Sequence, residues 1–172
     1  EYTTTHLAYT DAFQREGVEV RPQVSCRPLT MDFTLHNPYP FEGMAAWKRV
    51  SARPEPEWAR VYADPEFRAE LKAELAAERF AVFRGRWDLV RVLKVGRPAH
   101  QASVGKTITQ IAAETGKDEV DAWLDLALAD GLETEFLAGL MNANDAVVGD
   151  LITHPYTLVS LSDAGAHCSL LC

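Results

Sequence analysis

No apolar run in this chain approaches the roughly 20 residues that a helix needs to cross a bilayer, so no membrane partner is expected. Cysteine is scarce: Cys26, Cys168 and Cys172 make neither an even framework nor a Cys-x-x-Cys pair. That usage fits a reduced, cytoplasmic compartment better than a disulfide scaffold. Basic charge is in deficit, with 17 Lys and Arg against 25 Asp and Glu and a formal net charge of -8. A nucleic-acid groove needs the opposite balance to neutralise phosphates, so no nucleic-acid partner is expected either. The chain opens on Glu1-Tyr2-Thr3 without Met, a basic region or the apolar stretch of a signal peptide. That opening, and a final Cys172 directly after apolar residues, read as a chain cut at both ends. No Gly-x-Ser-x-Gly elbow occurs, which leaves a serine hydrolase unsupported.

What is present is a globular composition. At 172 residues and 47% hydrophobic, the chain is long enough for a domain with a real core and too apolar for a disordered tail. Polar and apolar residues from Thr5 to Glu16, stopped by Gly17, predict a helix end with a glycine just beyond it. The β-branched alternation of Val18 to Val24 predicts a strand, with Pro22 arguing against a fully paired central one. From Arg27 to Pro56 five prolines break every period while Phe33, Tyr39, Phe41 and Trp47 persist, the signature of a packed loop.

Helix signals are clearer downstream. Asp64-Pro65-Glu66 is a cap, a first-turn proline and an acid at the positive end of the dipole, and Phe67, Leu71 and Leu75 make one buried row. Trp87 to Val95 reads as a strand. Thr107 and Gln110 have capping-box spacing ahead of Ile108, Ile111 and Ala112, and Gly116 ends that helix. Asp118 caps the next, with Val120, Trp123, Leu124, Ala127 and Leu128 on one stripe up to Gly131. Asn144 and Asp145 cap a third, with Val147, Val148, Leu151 and Ile152 inward, until His154-Pro155. Thr157 to Leu161 is a short apolar strand. Helix-then-strand order at both ends implies an α/β protein with parallel strands.

Asp163 is the first candidate for chemistry. Catalytic groups in α/β sheets and barrels collect at the C-terminal ends of strands, where a carboxylate can bind a metal or take a proton. Asp with Gly two residues on is also a common turn, so the spacing leaves both readings open. His167 lies near the same mouth, as a substrate contact or a hydrogen-bonded surface residue. His154 falls at a helix C-terminus, where a structural role is favoured. A zinc knuckle of His167, Cys168 and Cys172 lacks a second ligand pair. Gly105-Lys106-Thr107 mimics the end of a phosphate loop, but His100 stands where its first glycine belongs.

The stretch His154-Pro-Tyr-Thr-Leu-Val-Ser-Leu-Ser-Asp163-Ala-Gly-Ala-His167 resembles the last barrel strand of the N-acyl-D-amino-acid deacylases (D-aminoacylases) of the amidohydrolase superfamily. Gly105 to Asp118 with its helix pair, and Gly17 to Pro28, are similar to that family as well, so the resemblance covers nearly the whole chain. It implies a partial (β/α)8 TIM-type barrel, with Val18–Val24 as the penultimate strand and Thr157–Leu161 as the last. Residues 29–100 would then be a long lid-like insertion between the penultimate strand and its helix, in one domain spanning 1–172. No metal-binding His follows Val24, which favours the penultimate place over the sixth.

In that family zinc, one or two ions, acidifies a water that attacks an amide carbonyl. The aspartate ending the last strand moves the proton to the leaving amine. The resemblance gives Asp163 that role, as metal ligand and proton carrier. Ser25 and Arg27, which follow the penultimate strand in place of a Tyr-rich segment, become candidate substrate contacts, with Arg27 a partner for a carboxylate. His167 joins them. The family's His-x-His pair and later histidine ligands are not in this sequence, so the other zinc ligands and the rest of the barrel are expected upstream. The expected activity is that of a zinc-dependent hydrolase cleaving the linear C–N bond of a small-molecule amide. Two alternatives stand beside it: a non-catalytic segment that alone does not bind zinc tightly, and a cyclic amidase of the dihydroorotase or hydantoinase kind.

Overall fold

The computed structural model describes residues 2–77 and 82–160. It is a mixed α/β structure in two compact units. One is made by the described residues up to Leu29 and from Met141 on, the other by Thr30–Leu140. None of the described helices is long and apolar enough to cross a membrane.

The first unit begins with α1 (Tyr2–Arg15). Gly17, at φ 78°, takes the left-handed conformation that only glycine adopts without penalty. It lets the Val18 N–H reach the Phe13 carbonyl (2.9 Å) and its own N–H the Gln14 carbonyl (3.1 Å), which closes the helix end. The strand expected over 18–24 contracts to β1 (Gln23–Val24). Pro22 is the reason: it has no N–H to donate to a ladder, and only its carbonyl is used, by Leu158 N–H at 2.9 Å.

In the same unit α7 (Asp145–Thr153) is capped as expected, with Asn144 accepting from the Ala146 and Val147 N–H groups. Val148 is buried, whereas Ile152, expected inward, stands 41% exposed. β5 (Leu158–Val159) pairs parallel with β1, Gln23 opposite Leu158 and Val24 opposite Val159. Thr157 is held back from the strand because its hydroxyl donates to the Leu151 carbonyl at 2.6 Å.

The second unit carries most of the core. β2 (Leu29–Phe33), β3 (Val90–Lys94) and β4 (Glu135–Met141) form a sheet in the order β2-β4-β3, with β3 and β4 antiparallel. Around it lie the short α2 (Lys48–Ser51) and α3 (Trp58–Ala63), then α4 (Pro65–Ala76), α5 (Ile108–Thr115) and α6 (Glu119–Ala129). The expected caps form: Asp64 accepts from Glu66 N–H and Asp118 from Val120 N–H. Thr107 and Gln110 close a reciprocal capping box. The proline-broken segment is packed, with Phe33, Phe41 and Trp47 buried, while Tyr39 faces solvent. Two of its residues earn backbone support from a distance: Glu74 on α4 accepts from the Ala45 and Ala46 N–H groups at 2.8 and 2.9 Å. The described residues from Thr30 to 100 belong to the unit that continues through α5 and α6 to Leu140.

All four tryptophans, Trp47, Trp58, Trp87 and Trp123, lie in this second unit. A fragment spanning 29–141, which keeps its three strands whole, should therefore fold by itself. Its tryptophan emission and denaturant midpoint are expected to overlay those of the full chain. Solvent-exposed emission from the fragment before any denaturant is added would refute its autonomy.

Candidate functional site

The two parallel strands fix the only end of a sheet to which the expected site residues belong, among the described residues. Because β1 and β5 run the same way, the chain leaves both at one end, through Ser25 after β1 and Ser160 after β5. Ser160 N–H continues the ladder onto the Val24 carbonyl at 3.2 Å. Past Val24 the Ser25 hydroxyl accepts from the Arg27 N–H (3.3 Å) and donates to the Arg27 carbonyl (3.2 Å), a side-chain-closed turn. Asn142 donates to that same carbonyl at 3.5 Å. Arg27 is thereby held at its backbone, and the residue is exposed. Asp163 and His167 lie outside the described residues, so the structure brings together only Ser25 and Arg27 of the four.

His154 has the structural role its position suggested. Its Nδ1 accepts from the Tyr156 N–H at 3.4 Å, and its Nε2 faces Asp11 Oδ1 at 3.3 Å, with the side chain 13% exposed. Nδ1 thus closes the turn after α7, and Nε2 ties that turn to α1. Gly105-Lys106-Thr107 is no phosphate cradle, because its amides are spent. Gly105 N–H donates to the Val92 carbonyl, Lys106 N–H to the Ser103 carbonyl and Thr107 N–H to Gln110. Arg91 adds a hydrogen bond to the Gly105 carbonyl.

One firmly anchored carboxylate, Asp130, was invisible in the sequence. Asp130, 1% exposed just past α6, accepts from Gly96 N–H (2.8 Å), Arg97 N–H (2.8 Å) and the Thr134 hydroxyl (2.7 Å). Gly96 is needed there, since a Cβ on it would stand 2.8 Å from the Glu133 Cβ. Burial pushes the Asp130 carboxyl up, but the bonds from Gly96, Thr134 and Arg97, with His100 nearby, outweigh it and hold it below its ordinary 3.8. Arg68 and Lys72 on α4 do the same for Asp121 on α6, at 3.0 and 2.5 Å, and lower its carboxyl against the opposing effect of burial. These are braces rather than reactive groups: each acceptor is satisfied by donors of the fold itself.

Two outcomes follow for stability. Asp130→Ala strands two amides and a hydroxyl and should cost about 3 kcal/mol, read as a shift in the denaturant midpoint. The folded-state carboxyl is depressed, so its contribution is fully present above the ordinary value of 3.8 and is lost as pH falls through the lower folded value. Acid titration of the wild type should show that loss, and Asp130→Asn should lose less on acidification; an unchanged acid profile in the Asn variant would contradict the assignment.

Among the described residues no group of three or more His, Cys, Asp or Glu side chains is arranged to hold a metal ion. Compared with family models, with curated proteins and with solved structures, the chain matches none of them.

Proposed function

We propose that this chain is the closing part of a metal-dependent amidohydrolase barrel that cleaves a linear amide, most simply an N-acyl-D-amino acid. The observation that supports the reading best is the parallel pairing of β1 with β5. Two strands far apart in sequence lie side by side, as neighbouring barrel strands do, and the Ser-Asp-Ala-Gly-Ala-His stretch begins two residues beyond Ser160. In such a barrel the reacting groups sit at the end that the strands' C-termini define.

A second observation points the same way. Parallel strands are found with both faces covered, yet Leu158 and Val159 are each 51% exposed. Further barrel strands and helices are the covering such a pair needs. Asp163 would be one ligand among several, the rest coming from upstream strands, and zinc would supply the Lewis-acid charge that acidifies a water. Asp163 would carry the proton from the attacking water to the leaving amine, while Arg27, held by its turn with Ser25, would meet the substrate carboxylate. His167, four residues past Asp163 in the sequence, would be a further substrate contact.

The direct test is zinc-dependent release of free amino acid from N-acetyl-D-amino acids by a polypeptide carrying the upstream strands. The 172-residue chain given zinc should release none. Hydrolysis of a dihydropyrimidine or hydantoin ring, with linear amides untouched, would replace this reading by the cyclic-amidase one.

A further inference from the structure

We draw no further inference here: the strongest candidate, the exposed apolar pair Leu158 and Val159 on β5 of the first unit, is the surface already assigned to the rest of the proposed barrel, and nothing in the structure shows what else would cover it.

Discussion

Trp123→Ala should destabilise the second unit by about 4 kcal/mol, within the range seen when a buried Trp or Phe is cut to Ala. Trp123 is fully buried and sits at the centre of an aromatic cluster. Its ring centroid lies 4.6 Å from that of Phe41, 5.1 Å from Trp87 and 6.3 Å from each of Phe33, Trp47 and Phe136. Five neighbours from β2, β4 and the connecting segments cannot all collapse onto an alanine, so most of the vacated volume stays empty. A loss of that size is a large share of the roughly 5–15 kcal/mol that holds a domain together. Thermal melting should fall by about 10–20 °C.

Trp123→Phe separates the causes. The Trp123 indole N–H is buried without a hydrogen-bond partner, so removing it costs no bond and relieves a desolvated donor. The phenylalanine variant should therefore lose only about 1–2 kcal/mol, from the smaller ring alone. Trp58 gives the contrast: it is only partly buried, and its indole donates to the Arg53 carbonyl at 2.9 Å. Trp58→Ala is expected to cost less than Trp123→Ala; equal losses would mean that the cluster has no centre.

What the sequence disclosed follows the range of the forces involved. Helix ends are set by residues three or four apart, so Asp64, Thr107 with Gln110, Asp118 and Asn144 were readable in advance. Each cap is found in place. Strands depend on partners elsewhere. β4, the longest of the described strands, has the sequence Glu-Phe-Leu-Ala-Gly-Leu-Met, with no β-branched residue and a glycine inside, and its pairing with β2 and β3 on either side makes it extended. β2 was hidden in the same way, its Leu-Thr-Met-Asp-Phe sitting in a segment whose prolines suggested irregular chain throughout. The opposite error occurred at β1, where local β-branched alternation promised seven residues and Pro22 left two.

Polar clusters obey the same rule. The braces at Asp130 join residues more than thirty positions apart, and no local pattern marks Asp130 as different from any acid after a helix. Glycine at 96 was a faint signal, meaningful only once Glu133 is seen against it. Asp163 was the reverse case. Its motif is a run of neighbouring residues and so could be read from the sequence, whereas the described residues stop at Ser160, before it.

Asp163→Asn, made in a polypeptide that carries the upstream barrel strands, should lower kcat by about 10²–10⁴-fold, the contribution of a positioned acid–base group. The reason lies in what the amide cannot do. Asparagine keeps the size and the turn-forming hydrogen bonds of aspartate, so the end of β5 should be preserved and the circular dichroism unchanged. It has no basic oxygen to take a proton from water and none to return to the leaving amine. Loss through binding alone would appear in KM, whereas loss of proton transfer appears in kcat with KM nearly constant. The pH profile discriminates further: the acidic limb of kcat/KM, which reports a group that must be ionised, should disappear in the variant. A variant that keeps near-normal turnover would make Asp163 a turn residue at the end of a strand, and the proton would have to be carried by another group.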